Sequence, residues 1–362
     1  MSWRIFAMRA CSINAGSRKL RMGAKLRPMD DIADELGASP EWFPHELDLS
    51  SDRVSFLRLQ RADYERASFL DARILTPASI RRTLPWARVE AAISAAQLTE
   101  RCGFIFHIGH VGSTLLSRLI GAHPAAFSLR EPMALRALAQ FVRPGELQLS
   151  GSLKLLSRTF EPGEVAIVKA TSFVSELAAG LMSRASAPRA VMMSVAPESY
   201  FATILGGPNS RQEAKAMAPS RLARLHRRIG QEPWQLASLS EGETLALSWA
   251  CEMTALAQAR EAAPGRVLQV DFDRFLASPT QVFAAVLEHF NLEASPETVA
   301  RILAGPDMQR YSKAPEHAYD AQLRSDVLSH ARALHRAEIG RGLAWLDRAA
   351  AQFGAVRDAL RI

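Results

Sequence analysis

The sequence predicts an α/β protein: a three-layer sandwich with a central parallel sheet and extra helices at both ends. Three observations predict it. Four short apolar runs, at 103–108 (GFIFHI), 164–168 (EVAIV), 190–195 (AVMMSV) and 266–270 (RVLQV), are each bounded by Gly, Pro or charge, as strands buried on both faces are. Helix-period segments fill the gaps between them, and strand alternating with helix at this spacing calls for parallel crossovers. The chain of 362 residues has no internal repeat, heptad run or low-complexity linker, and it is long enough to bury a large core.

In chain order, residues 1–28 come first, with seven Lys or Arg and no acid before Asp30. They lack the continuous apolar centre of a secretory signal and the apolar periodicity that would offset chain entropy. A disordered basic tail is expected there, removable without effect on melting temperature or ligand binding, and Met22 and Met29 offer later starts. One domain is expected over 29–362. Its first part, 29–100, reads as a helical elaboration, with helices at 62–75 and 88–100 and Pro77 and Pro85 punctuating the link. The core, 101–294, adds helices at 113–120, 133–142, 173–183, 198–205, 212–229, 243–260 and 279–291. The last part, 295–362, holds a helix at 296–303, a loop, and one or two Ala- and Arg-rich outer helices over 321–358.

Composition narrows the function. Hydrophobic residues at 48% and charged residues at 22% describe an ordinary soluble protein. The formal charge of 44 − 37 = +7 favours an anionic ligand or surface. Cys11, Cys102 and Cys251 stand alone, which argues against a disulfide framework or a zinc site and for a reducing, cytoplasmic compartment. No apolar run reaches the length of about 18–20 residues that a membrane helix needs.

One stretch carries chemistry: FIFHIGHVGSTLLSRLIGAHPAAFSLREP, at 104–132. A strand that empties into a Gly-containing turn and then a helix gathers backbone N–H groups at the positive end of a helix dipole. That is a cradle for an anion such as phosphate, with the Ser113 and Thr114 hydroxyls beside it. A plain tight turn is the simpler alternative. The spacing GxxGST has no lysine, so it is not the GxxxxGK loop of magnesium-dependent NTPases.

The stretch resembles the 5′-phosphosulfate-binding loop of the sulfotransferase family, in which Pro, Lys or Arg, Ser and Gly precede Ser or Thr, Thr, Leu and Leu. Gly112, Ser113, Thr114, Leu115 and Leu116 match the loop, His123 and Pro124 the turn after its helix, and Glu131 the acidic position beyond. Further matches follow in order: IVKATSF (167–173), VMMSVAPESYFATIL (191–205) and VLQVDFDRFLASPTQVFAAVLEHFNL (267–292). Together they span roughly 102–320. The resemblance implies a P-loop-like fold and transfer of a sulfuryl group from 3′-phosphoadenylyl sulfate, the co-substrate, to a hydroxyl or amine, with no metal. It makes Val111, Gly112, Ser113, Thr114, Leu115 and Thr203 donor-binding residues. Arg310 and Lys313 join them from a closing loop at 309–320 that also carries Ser312 and His317. Glu131 is the expected base, with His317 in reserve, and Lys169 and His110 are the expected cations. Positioned groups and charge stabilisation carry such a transfer, with one base for the acceptor proton. The competing role for Glu131 is pairing with Arg130 or Arg136, or capping the next helix.

Two positions depart from the family pattern. His110 stands where the loop has Lys or Arg, and Val195 stands where an arginine holds the 3′-phosphate; Thr203 keeps the hydroxyl of that site. Arg221, Arg224 and Arg228 fall on one helical face as replacements, or as a solvated basic face opposite Leu222, Leu225 and Ile229. A kinase-like phosphotransferase and a degenerate nucleotide-binding member without turnover are the alternatives. His107, His110 and His123 lack the carboxylate or cysteine that would complete a metal shell. The acceptor, a small molecule and not nucleic acid, is unreadable from the variable segments 30–95, 206–235 and 305–325, and the state stays open between monomer and homodimer.

Overall fold

The computed structural model describes residues 32–140, 146–310 and 321–362. The expected tail lies outside them, as do Cys11, Ser312, Lys313 and His317. Among the described residues, a short 3-10 turn (Ala33–Glu35) precedes strand β1 (Trp42–Asp48) and strand β2 (Arg53–Arg58), whose turn is held by the Asp48 carboxylate, which accepts from the Ser50 N–H at 2.9 Å. After helix α1 (Arg61–Arg66), strand β3 (Arg81–Pro85) pairs with β2, giving an antiparallel sheet in the order β1-β2-β3. Helix α2 (Trp86–Ala95) follows directly. The purely helical N-terminal part expected from the sequence is therefore corrected. Its strands escape a sequence reading because the polar Arg53, Ser55 and Thr83 alternate with the buried Val54, Phe56 and Leu84, as on half-solvated strands.

From strand β4 (Gly103–His107) the alternation is regular. Helix α3 (Ser113–Gly121), strand β5 (Ala126–Arg130), helices α4 (Met133–Gln140) and α5 (Glu146–Leu156) and strand β6 (Val165–Lys169) come next. Helix α6 (Ala178–Met182), strand β7 (Ala190–Ser194) and helices α7 (Pro197–Leu205), α8 (Pro208–Ile229) and α9 (Glu241–Glu261) lead to strand β8 (Val267–Asp271). Helices α10 (Phe272–Ala277), α11 (Pro279–His289) and α12 (Pro296–Leu303) follow, and α13 (Ala321–Leu334), α14 (Arg336–Gln352) and α15 (Gly354–Ala359) end the chain. The five strands from β4 to β8 pair in parallel in the order β5-β6-β4-β7-β8. Four of them coincide with the predicted runs. The fifth, β5, was not foreseen, since Ser128 and Arg130 break its apolar run. All five of its residues are nonetheless buried.

This order fixes where a ligand belongs. The connection out of β4 runs toward β5 and the connection out of β7 runs toward β8, in opposite directions along the sheet. A crevice therefore opens at the carboxyl ends of β4 and β7, the switch point where α/β sheets bind ligands. Among the described residues, no helix is long and apolar enough to cross a membrane.

Two buried arginines fasten the N-terminal layer to the sheet. Arg158 donates to the carbonyls of Leu155 (2.9 Å), Leu36 (2.7 Å), Ser39 (2.9 Å) and Trp42 (2.7 Å). Arg130 donates to the carbonyls of Tyr64, Glu65 and Ala67, while its own carbonyl accepts from the Leu70 N–H at 2.7 Å. Burial pushes both guanidinium groups down to about 10, still charged at neutral pH. Replacing Arg158 by Met should leave several buried carbonyls without a donor, at about 1–3 kcal/mol each. Chemical denaturation should therefore show a loss of about 3 kcal/mol or more. An unchanged midpoint would mean that the clasp is not needed.

Candidate functional site

All five residues of β4 are buried, and the strand runs straight into the predicted cradle. The turn is a left-handed series: Gly109 has φ 89°, His110 56° and Gly112 67°. Between them Val111 is 0% exposed, so its side chain is a plug in the core and only its main chain is available to a ligand. Gly112 is the N-cap of α3 and brings no capping side chain. Its need for glycine is twofold. The φ is left-handed, and a Cβ there would lie 2.0 Å from the ring of Phe272, the first residue of α10.

A cavity of about 270 Å³ opens beside this turn, lined by His110, Gly112, Thr114, Leu115, Thr203 and Arg310 of the predicted set. Gly207 and Ser210 from the start of α8, Phe272, and Arg324 from α13 share the wall. No Asp or Glu lines it among the described residues, whereas His110, Arg310 and Arg324 all do. Thr114 is 2% exposed, and its hydroxyl has no hydrogen-bond partner among the described residues. An unpaired buried hydroxyl is costly, and at the N-terminus of a helix an incoming anion would satisfy it. Thr203, by contrast, donates its hydroxyl proton to the Ser199 carbonyl at 2.7 Å. The His110 ring lies 3.7 Å from the Glu213 carboxylate on α8.

Glu131 and Lys169 do not line this cavity; they form a pair of their own. Glu131, at φ 56°, follows β5, and its N–H donates to the Lys169 carbonyl at 2.7 Å. The Lys169 ammonium donates to its carboxylate, and the Thr171 hydroxyl reaches the other carboxylate oxygen at 3.5 Å. Lys169 is 0% exposed, with its ammonium 5.5 Å from the centre of the Phe69 ring. Glu131 therefore pairs with neither Arg130 nor Arg136. The loop and the pair are neighbours: Lys169 pairs with Ile105 of β4 in the sheet, and Gly109 packs against Ser172.

Other sequence candidates resolve into structural roles. His107 accepts from the Gly109 N–H at 3.0 Å, and His123 accepts from the Ala125 N–H at 3.1 Å and meets the Glu293 carbonyl at 3.0 Å. Among the described residues no group of three His, Cys, Asp or Glu side chains gathers to hold a metal. Arg221, Arg224 and Arg228 are neither a solvated face nor free for a ligand. Arg221 and Arg224 bind the fully buried Glu252, and Arg224 and Arg228 bind Glu176. Burial alone would raise the Glu252 carboxyl, but Arg224 and Arg221 outweigh it and hold the group below its ordinary value. The residues missed at the cavity are Arg324, Phe272, Gly207 and Ser210. One signal for Arg324 existed, an arginine on the helical stripe that Leu328 and Ala331 continue inward.

No family model matches the chain, and no curated protein matches it. Among solved structures it is similar to a sulfotransferase domain from the curacin biosynthetic pathway, at 14% identity and a TM-score of 0.38 over 64% of this chain and 97% of that one. It is also similar to the sulfotransferase STF9 from Mycobacterium avium, at 14% identity and a TM-score of 0.39 over 69% and 82%. Likeness at this level carries no conclusion about activity.

Thr114→Val separates a ligand-binding hydroxyl from a structural one. It removes an unpartnered buried oxygen at nearly constant volume, so the unliganded melting temperature should hold or rise. The affinity for adenosine 3′,5′-bisphosphate, measured by calorimetry, should fall about tenfold or more, as for a lost hydrogen bond to a charged group. Unchanged affinity would remove Thr114 from the site.

Proposed function

We propose that the protein is a sulfotransferase-like enzyme that passes the sulfuryl group of 3′-phosphoadenylyl sulfate to a hydroxyl or amine of a small acceptor. One observation carries this reading. Among the described residues, the cavity at the switch point is lined by Arg310 and Arg324 and by no carboxylate, and the buried Thr114 hydroxyl at the start of α3 has no partner. The loop's resemblance to phosphosulfate-binding loops points the same way.

In the proposed reaction the phosphosulfate end of the donor lies against the start of α3. Main-chain N–H groups and the Thr114 hydroxyl meet its oxygens, with His110 beside them. The acceptor oxygen or nitrogen attacks sulfur, the bond from sulfur to the phosphate oxygen breaks, and the leaving phosphate keeps that electron pair in the cradle. The acceptor's proton goes to the Glu131 carboxylate, which the Lys169 ammonium and the Thr171 hydroxyl orient. Lys169 is thus a positioning residue and not a donor-facing cation. A kinase-like reading is disfavoured because, among the described residues, no carboxylate in the cavity wall offers a magnesium ligand, and the loop has no lysine.

Glu131→Gln should keep donor affinity and lower turnover of a phenol or alcohol acceptor by about 10²–10⁴-fold. His110→Ala should lower both affinity and turnover, because it touches the donor throughout the reaction. Wild-type turnover by Glu131→Gln would remove Glu131 as the base. In thermal shift, adenosine 3′,5′-bisphosphate should raise the wild-type midpoint. A shift with ATP and magnesium alone would favour the phosphotransferase, and bisphosphate binding without turnover of any acceptor would favour the degenerate member.

A further inference from the structure

A second cavity, of about 400 Å³, lies on the flank of α3, against β5 and α1. It shares no lining residue with the cavity at the switch point, although the same elements wall both. α3 gives Thr114 and Leu115 to one cavity and Arg118 and Gly121 to the other. In the turn Pro306–Gln309, Met308 lines the first and Asp307 the second. The charged walls of the second cavity are Arg61, Arg118, Arg130, Glu65 and Asp307.

Arg130 is the group that needs explaining. It is 3% exposed, and it forms no ion pair among the described residues. Its Nε and Nη2 donate to the carbonyls of Tyr64, Glu65 and Ala67, which leaves both N–H groups of Nη1 without a partner there. Arg158 is the contrast, since carbonyls take up all three of its nitrogens. Beside Nη1 stands Gly121, where a Cβ would come within 3.7 Å of it, so the glycine leaves that approach open. The charge of Arg118 adds to burial in disfavouring the Arg130 cation, and Asp307 and Glu65 oppose this only from a distance. Arg118 itself donates to the Ser68 hydroxyl at 2.8 Å, and Arg61 is bound to the Glu164 carboxylate at 2.8 Å. Burying a guanidinium without a counter-charge is costly, and a second one facing the same space adds to the cost.

An anion between Arg118 and Arg130 would answer both, and the acids in the wall say which kind. Glu65 and Asp307 repel a compact dianion such as phosphate. They suit a ligand whose single carboxylate meets the guanidinium groups while neighbouring hydroxyl or ammonium groups donate to the acids. A guanidinium fork also matches the geometry of a carboxylate. We propose that this cavity is a binding site for a small hydroxy- or amino-carboxylate, held by Arg118 and Arg130 and selected by Glu65 and Asp307. It lies outside the donor cavity, so it stands or falls independently of the reaction proposed above.

The test is calorimetry on the full chain with D-glucuronate, L-glutamine and inorganic phosphate. At least one of the two organic probes should bind with a dissociation constant below about 1 mM, and phosphate should bind about tenfold more weakly or worse. Arg130→Gln should abolish binding, but it also removes bonds that hold the N-terminal layer. Arg118→Gln, at a half-buried position, avoids that difficulty and should lower the affinity about tenfold or more. Ala122→Glu, at an exposed position in the cavity wall, should block the site by supplying a carboxylate from the chain itself. Binding of neither organic probe, or a preference for phosphate, would overturn the inference. Unchanged affinity in folded Arg118→Gln or Ala122→Glu would overturn it too.

Discussion

The left-handed turn from Gly109 to Gly112 is the constraint on which the rest of the site depends. Three of its four residues sit at positive φ, and the fourth, Val111, is sealed in the core. Glycine carries two of those positions at no steric cost; His110 carries the third at roughly 1–2 kcal/mol. The turn aims the N-terminus of α3 at the crevice and makes room for Phe272, which in turn supports Arg324. Glu131 is the other residue held left-handed beside the crevice, and its N–H bond to Lys169 fixes it there. Strain of this kind persists only where neighbours over-determine it, and both strained side chains are ones to which chemistry is assigned.

Charge inside the protein follows a second logic. Arg130, Arg158, Arg221, Arg224 and Arg324 are all buried, so the excess of +7 is not simply a surface field. Arg130 and Arg158 bind main-chain carbonyls and join layers. Arg221 and Arg224 bind Glu252, whose carboxylate also accepts from the Ser175 hydroxyl in the turn after β6. Replacing such a cluster by apolar groups can be neutral, whereas removing one member is costly. Its consequence here is geometric. α8 is locked at its far end to the segment that follows Lys169, while its near end enters the cavity and meets His110 through Glu213.

Much of this was legible in the sequence. Four of the five parallel strands are continuous apolar runs because both faces are covered, and the loop and helix after β4 follow from glycine and hydroxyl positions alone. β5 was hidden because Arg130 and Ser128 are buried through partners distant in sequence: carbonyls of 64–67 and the Ser117 hydroxyl. The N-terminal sheet was hidden by its half-solvated strands. Charge at helical spacing misled most, since Arg221, Arg224 and Arg228 have the same pattern whether they face water or Glu252. Of the predicted site residues, His110, Gly112, Thr114, Leu115, Thr203 and Arg310 share one cavity, Val111 and Ser113 turn inward, and Lys313 falls outside the described residues.

The two sets of cations divide the work. Lys169 is wholly buried, bound to Glu131 and close to Phe69, and it reaches nothing in the cavity without breaking that pair. The basic side chains that line the cavity are Arg310 and Arg324, with the His110 imidazole where the family loop has Lys or Arg. In the proposed transfer, charge that develops on the leaving phosphate is therefore met mainly by main-chain N–H groups and the Thr114 hydroxyl. Fixed dipoles in a closed site stabilise such charge without reorganising as it forms. A rigid turn is what that strategy requires, and the left-handed, core-plugged loop supplies it.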